Sequence, residues 1–176
     1  MINKIKEKSQ SNNIPIQAFV LEMENIQTIT SSFDVIVCIG NSLSHITSIS
    51  LISQTIEDIE KLLESDGTLI IQIVNYDRVM KESIHKLPVI ETTTGLTFER
   101  TYEFEQDQIQ FHGLLTVDVN GERTHFENKV ALYPLQSFEL VSILQNAGFS
   151  EISLYGDYQE NEFTSSSPAI VVVAKK

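Results

Sequence analysis

The stretch FDVIVCIGNSLSHI (33–46) decides the fold, because a nearly continuous apolar run rich in β-branched residues ends abruptly at Gly40. Such a run is typical of a parallel strand that is covered on both faces. Downstream, residues 48–64 place isoleucines and leucines at helical spacing with charges opposite. SDG (65–67) then turns the chain into a second buried strand, TLIIQIVN (68–75). The order predicts a βαβ unit with parallel strands.

The remaining sequence predicts one α/β domain spanning residues 1–176, with an antiparallel β-meander at 95–133. Within the meander, three alternating runs are separated by Gln106-Asp107 and by Asn120-Gly121, and Asn-Gly is a strong hairpin signal. Patterning predicts the other elements: a helix over 1–9, a buried strand IQAFVL (16–21), a short helix in YDRVMKES (76–83), a helix over 135–147 ending at Gly148, and closing strands in EISLYGDY (151–158) and AIVVVAKK (169–176).

Composition excludes several classes of protein. The 176 residues include 12 Lys and Arg against 24 Asp and Glu, a net charge of −12, which argues against nucleic-acid and membrane-surface partners. Cys38 is the only cysteine and cannot form an internal disulfide. No stretch approaches the roughly 18 apolar residues of a membrane span, and the polar N-terminus lacks a secretory h-region. We expect a reducing, cytoplasmic setting and a small-molecule partner.

Small and hydrogen-bonding residues follow the two predicted parallel strands. In open α/β sheets, ligands bind beyond the carboxyl ends of the strands, so these residues form the candidate site. They are Gly40, Asn41, Ser42 and His45 after the first strand, and Asn75, Tyr76 and Asp77 after the second. A purely structural interpretation stays open, in which Gly40 supports a turn while Asn41 or Ser42 and Asn75 cap helices.

These segments carry a family resemblance. FDVIVCIGNSLSHI, LLESDGTLIIQIVNYDRVM and LQNAGFSEISLYGDY, in this order, resemble the later part of a class I S-adenosylmethionine-dependent methyltransferase. GNSLSH and NYD are similar to the glycine and sarcosine N-methyltransferase group. The resemblance implies a Rossmann-like sheet with a meander insertion, S-adenosylmethionine as cofactor, and methyl transfer to a small molecule such as an amine.

The resemblance also implies roles for individual residues. Glu22 and Met23 would contact the adenine of the cofactor, while Gly40, Asn41 and Ser42 would bind its methionyl part. The implied catalytic residues are His45 and Tyr76, and the implied acceptor-binding residues are Asn75, Tyr76, Tyr102 and Tyr133. Structural alternatives remain for Glu22 as a solvated carboxylate, for His45 as a residue bonded to backbone, and for the tyrosines as packed rings.

Two departures from the family qualify the resemblance. The glycine-rich loop after the family's first strand, and the acidic residue after its second, have no counterpart here. The chain therefore starts about one βαβ unit late, and we expect an exposed sheet edge. Val74 stands where the glycine N-methyltransferases have an arginine that anchors the substrate carboxylate, so glycine is a poor substrate candidate.

Methyl transfer needs mainly alignment and desolvation of the acceptor, and a deprotonated amine could be assisted by His45. We expect the meander to cover the acceptor pocket or to form a homodimer contact. The main alternative is a catalytically inactive methyltransferase-like partner. A hydrolase is a weaker alternative, with GNSLS (40–44) as a degenerate nucleophile elbow served by Asp107 and by His112 or His125. The scattered histidines predict no metal site, and Cys38 is interpreted as a small buried apolar residue.

Overall fold

The computed structural model describes residues 2–119 and 122–176, and in them the predicted βαβ unit is present. Strand β1 (Phe33–Cys38) pairs in parallel with β2 (Leu63–Val74), and α2 (Ile49–Leu62) connects them. The predicted SDG turn lies inside β2, where Asp66 has φ +63° and the pairing with β1 shifts register. The other elements are α1 (Ile2–Ser11), α3 (Tyr76–Lys81), β3 (Ile90–Glu91), β4 (Leu96–Phe104), β5 (Ile109–Val119), β6 (Glu122–Leu132), α4 (Ser137–Asn146), β7 (Glu151–Tyr155) and β8 (Ala169–Lys175).

Two four-stranded sheets organise the described residues. The first has the order β1-β2-β8-β7, with β8 antiparallel to both of its neighbours. The second is the predicted meander, in the order β3-β4-β5-β6. The predicted turn at Asn120-Gly121 lies outside the described residues. This mixed α/β architecture with an antiparallel excursion agrees with the sequence prediction.

The main core lies between the first sheet and the helices α2 and α4. Leu69, Ile71 and Ile73 of β2 alternate with less buried residues and pack with Ile56 of α2 and Leu144 of α4. A second, smaller cluster joins the sheets, because Tyr76 and Val79 of α3 pack with Tyr102, Ile109 and Leu132 of the meander. No described helix has the length and apolar character needed to cross a membrane.

Two predictions about burial are wrong. IQAFVL (16–21) forms no strand and is mostly exposed, with Val20 at 89%, because no described strand pairs with it. Strand β1 is not covered on both faces: its register places Ile36 and Cys38 beside the core residues of β2, whereas Val35 and Val37 face outward. The apolar run therefore predicts the strand correctly, but it does not predict that only one face of the strand is covered. The expected exposed edge is β1, whose only partner among the described strands is β2.

Candidate active site at the ends of two parallel strands

The backbone after β1 turns sharply. Gly40 has φ +76° and Asn41 has φ +64°, a left-handed conformation that few residues other than glycine and asparagine adopt. Gln72 of β2 fixes this turn: its side-chain Oε1 accepts a hydrogen bond from the Gly40 N–H at 2.8 Å, and its backbone oxygen accepts one from the Asn41 N–H at 3.2 Å. No atom lies within 4 Å of where a Cβ on Gly40 would stand, so the turn borders open space.

The Asn41 side chain ties the two strand ends together. Its Nδ2 donates to the Tyr76 hydroxyl at 2.9 Å, and its Oδ1 accepts from the Val74 N–H at 3.0 Å and from the Ser44 hydroxyl at 3.2 Å. Tyr76 is 0% exposed. Burial raises the pKa of its phenol, and the hydrogen bond from Asn41 acts in the opposite direction. Asn41 therefore joins the two strand ends, through one hydrogen bond donated by Nδ2 and two accepted by Oδ1.

Asn75 has the capping role of the structural interpretation. Its Oδ1 accepts from the Arg78 N–H at 3.2 Å at the start of α3, while its Nδ2 donates to the backbone oxygen of Ser167 at 2.9 Å. Asn75 and Tyr76 are 1% and 0% exposed, and their expected contact with the acceptor stays a prediction. Asp77 also has a structural partner, since its carboxylate accepts from the Ser137 N–H at the start of α4.

Three of the five residues predicted to bind the cofactor, Glu22, Met23 and Ser42, line one cleft of about 360 Å³, which we call the acidic cleft. The other two, Gly40 and Asn41, line a second cleft. Glu22 lies at its exposed rim, and the Met23 sulfur lies 3.9 Å from the Cys38 sulfur beneath the floor. Burial raises the pKa of the Cys38 thiol to about 11, as expected for a buried and unreactive cysteine. The lining residues are Glu22, Met23, Glu24, Ser42, His45 and Ile46.

A second cleft, of about 300 Å³, lies between the strand ends and the meander, and we call it the aromatic cleft. Tyr102, predicted to bind the acceptor, lines this cleft; burial raises the pKa of this phenol, although nearby Arg100 acts to lower it. The lining residues are Gly40, Asn41, His45, Val74, Leu87, Phe98, Arg100, Tyr102, Phe111, Asn128, Val130 and Leu132.

His45 lines both clefts. Its side chain is exposed, and no hydrogen bond or ion pair of its ring is found in the described part of the chain. The structural alternative, a ring bonded to backbone, is therefore not what the structure shows. An imidazole at the boundary of two clefts can act on a group in either one.

Tyr133, in contrast, does not join the aromatic cleft. It lines a separate depression with Asp107 and Glu139, and its hydroxyl donates to the Glu139 carboxylate at 2.9 Å. Burial, together with that carboxylate, raises the pKa of Tyr133 to about 12. Tyr133 thus lies just beyond the end of β6 beside α4, and its expected acceptor contact stays a prediction.

Sequence reasoning missed Phe98, Arg100 and Phe111. The signal was present, since strand alternation places Phe98 and Arg100 on the same face of β4 as Tyr102, which was predicted. Because Tyr102 was predicted to lie at the site, the same alternation predicts that Phe98 and Arg100 lie there as well.

The residues named for the hydrolase alternative do not come together in the part of the chain that the structure describes. The Ser42 hydroxyl donates to the Ile39 backbone oxygen, whereas His112 lies 3.3 Å from Glu103 and His125 bonds Thr116 on the meander. No triad forms among these residues. Within residues 2–119 and 122–176, no group of His, Cys, Asp and Glu could hold a metal ion.

Comparisons with known proteins identify the fold. A structure of an S-adenosylmethionine-dependent methyltransferase from Clostridium acetobutylicum matches 99% of this chain and 70% of its own, with TM-score 0.86 and 14% identity. The CcbJ methyltransferase from Streptomyces caelestis matches 98% of this chain and 69% of its own, with TM-score 0.78 and 17% identity. This chain has the fold of the S-adenosylmethionine-dependent methyltransferases, which confirms the predicted class I fold.

Curated relatives point to a particular group within that class. A glycine/sarcosine/dimethylglycine N-methyltransferase from Actinopolyspora halophila is 24% identical over 96% of this chain and 30% of its own length. A glycine/sarcosine N-methyltransferase from Aphanothece halophytica is 27% identical over 84% of this chain and 53% of its own length. The predicted resemblance is confirmed, and the chain spans 30% and 53% of the lengths of these two relatives. No protein-family model matches the chain.

Proposed function

We propose that this chain supports S-adenosylmethionine-dependent methyl transfer to a small-molecule acceptor, with an amine nitrogen as the accepting atom. The observation that carries the proposal is the meeting of the acidic and aromatic clefts at His45, beyond the carboxyl ends of β1 and β2. Two adjoining clefts suit a donor and an acceptor whose reacting atoms must be brought together. The N-methyltransferase relatives favour nitrogen over oxygen or carbon.

The acidic cleft suits the cofactor. Glu22 offers an exposed carboxylate to hydroxyl or amino donors, and Met23 and Ile46 offer apolar contacts. The turn at Gly40 leaves open space on the side of the aromatic cleft. When bound, S-adenosylmethionine would supply a methyl group that its sulfonium already activates. In this proposal, Ser42 and the Gly40-Asn41 turn shape the wall between donor and acceptor.

The residues of this chain would then position and desolvate the acceptor. The apolar walls of the aromatic cleft exclude water, and an unpaired His45 ring nitrogen can take the proton of an arriving ammonium group. Tyr102 lines the cleft, and in this proposal it makes the contact with the acceptor that was expected of Tyr76. Tyr76 becomes a positioning residue, because it acts through its hydrogen bond with Asn41.

A methyl-transfer assay with radiolabelled cofactor and a panel of small amines tests the proposal. We expect His45→Ala to lower turnover by roughly 100-fold, the usual scale for loss of a general base. His125→Ala is the matched control, because His125 is exposed on the meander and bonds Thr116 away from both clefts. Equal loss in the two variants would contradict the role of His45.

One observation favours a second candidate, a catalytically inactive methyltransferase-like partner. The apolar side chains of Val35, Val37 and Ile39 are exposed at the β1 edge, as at surfaces that pair with another polypeptide. Three results together would support this candidate. The folded protein would assemble into a homodimer or a complex, it would not bind S-adenosylhomocysteine, and it would not transfer methyl groups.

The cellular setting completes the proposal. A buried, unpaired Cys38 and a net charge of −12 favour a reducing, cytoplasmic environment without nucleic-acid or membrane partners. We also propose that residues 1–176 act as one methyltransferase-like domain in which the meander covers the acceptor. The contribution of meander residues to the aromatic cleft supports the covering role.

A further inference from the structure

The first part of the described chain, residues 2–22, belongs to neither hydrophobic core, and we call it the N-terminal arm. Its helix α1 has no buried residue. The extended segment 14–21 that follows is strongly apolar, yet its large side chains are between 42% and 89% exposed. These side chains are Ile14, Ile16, Phe19, Val20 and Leu21. A folded monomer rarely leaves such a continuous apolar run in water.

Strand β1 has the complementary requirement. One of its edges has no partner among the described strands, so the backbone groups along that edge can still pair with a further strand. Its outer face is also uncovered, because Val35 and Val37, with Ile39 just beyond the strand, are each about half exposed. The edge can accept a strand, and the outer face can accept an amphipathic helix. The N-terminal arm carries one segment of each kind.

The arm is not placed to pair with β1 of its own chain. Met23 follows the arm, and its sulfur lies 3.9 Å from the sulfur of Cys38 at the carboxyl end of β1. A strand in segment 14–21 would therefore run parallel to β1, and neighbouring parallel strands need a connection of about a dozen residues or more. Only residues 22–32 are available, and Met23–Thr28 among them form a 3-10 helix beside α2. A second copy of the chain has no such restriction.

The charge of the arm also favours a second copy as its partner. Helix α1 contains Lys4, Lys6 and Lys8 with a single acidic residue, although the whole chain has a net charge of −12. The surface at β1 is acidic, because Asp34 on β1 and Asp66 on the neighbouring β2 are both exposed. A basic helix placed along β1 of another copy brings opposite charges together. Two chains of this net charge would repel each other over most other surfaces.

We propose that the chain forms a homodimer by exchange of its N-terminal arms. Segment 14–21 of each copy adds a strand to the free edge of β1 in the other copy, and α1 covers the apolar outer face of that strand. The exchange buries the apolar side chains that each copy alone exposes to water. A two-fold axis makes the two contacts equivalent. Formation of this dimer does not depend on methyl transfer.

Sedimentation velocity of the intact chain over a series of protein concentrations tests the proposal. We expect a monomer–dimer equilibrium. Val20→Lys should raise the dissociation constant of the dimer at least about tenfold, because it places a charge in the apolar contact. Phe126→Lys is the matched control, since it makes the same change at another exposed apolar residue, on the meander strand β6. We expect the control to leave the dissociation constant unchanged.

Hydrogen exchange locates the contact within the dimer. The backbone amides of residues 16–21 should exchange slowly at concentrations where the dimer dominates and rapidly where the monomer dominates, because only a paired strand protects them. If Val20→Lys does not fold, Val35→Lys changes the same contact from the β1 side and should weaken the dimer by a similar factor.

Four outcomes would overturn the proposal. The first is a monomer at every concentration, and the second is a dimer that Val20→Lys leaves intact. The third is equal weakening by Val20→Lys and Phe126→Lys, which would not single out the arm. The fourth is a dimer in which the amides of residues 16–21 exchange as rapidly as in the monomer.

Discussion

Asn41 combines two properties at the end of β1: a left-handed backbone with φ +64° and an amide bonded to Tyr76, Val74 and Ser44. Asn41→Gly separates them, because glycine adopts this backbone without strain but removes the amide. We expect the free energy of unfolding to fall by about 1–3 kcal/mol, since the buried Tyr76 hydroxyl loses this donor. Urea denaturation measures the change.

Ser42→Ala is the matched control for Asn41→Gly. The Ser42 hydroxyl bonds only the backbone oxygen of Ile39 among its described partners, in a more exposed position. We expect a loss below about 1 kcal/mol. If Asn41→Gly leaves the free energy of unfolding unchanged, the hydrogen bonds of the Asn41 amide do not contribute to stability. That result would contradict this prediction.

The Cys38 thiol gives a prediction about pH. Burial raises its pKa from 9.0 to about 11, so the folded protein holds the proton more tightly than the unfolded chain. The associated stability is complete below pH 9 and is lost as pH rises towards 11. At pH 8, we expect maleimide to label Cys38 far more slowly in the folded protein than in urea. Equal labelling rates would contradict the burial of this thiol.

At the scale of the element, β1 has one face in the core and one in solvent. Val35 is 52% exposed, whereas its neighbour Ile36 packs against the main core. We expect Val35→Lys to change the free energy of unfolding by less than about 0.5 kcal/mol and to reduce self-association. Ile36→Lys should cost about 2 kcal/mol or more, because it places a charge in the core. Chemical denaturation and sedimentation velocity measure the two effects.

The same element shows what sequence patterns can predict. The β1-α2-β2 unit and the three long meander strands follow from local periodicity, which each segment carries in its own residues. IQAFVL (16–21) has an equally apolar composition, yet a strand also needs a neighbour with which to share hydrogen bonds, and the local sequence does not show whether one is present. The two-residue strand β3 is too short to leave a pattern.

At the scale of the whole molecule, the candidate site was predictable only on one side. Gly40, Asn41, Ser42 and His45 follow from the rule that ligands bind beyond parallel strands, and they do line the clefts. Arg100, Phe98 and Phe111 reach the site because the meander packs against α3, a contact between distant segments. The sequence around Tyr102 and Tyr133 does not distinguish them. The packing of the meander places Tyr102 in the aromatic cleft and Tyr133 outside it.

The central claim, that the acidic cleft binds the cofactor, is tested most directly by a thermal melt with and without S-adenosylhomocysteine. A ligand that binds only the folded state at 100 times its Kd adds about 2.7 kcal/mol, or roughly 5–10 °C in Tm for a chain of this size. We predict an upward shift of this order that Glu22→Ala diminishes. A cooperative melt whose midpoint does not move at saturating ligand would contradict the claim.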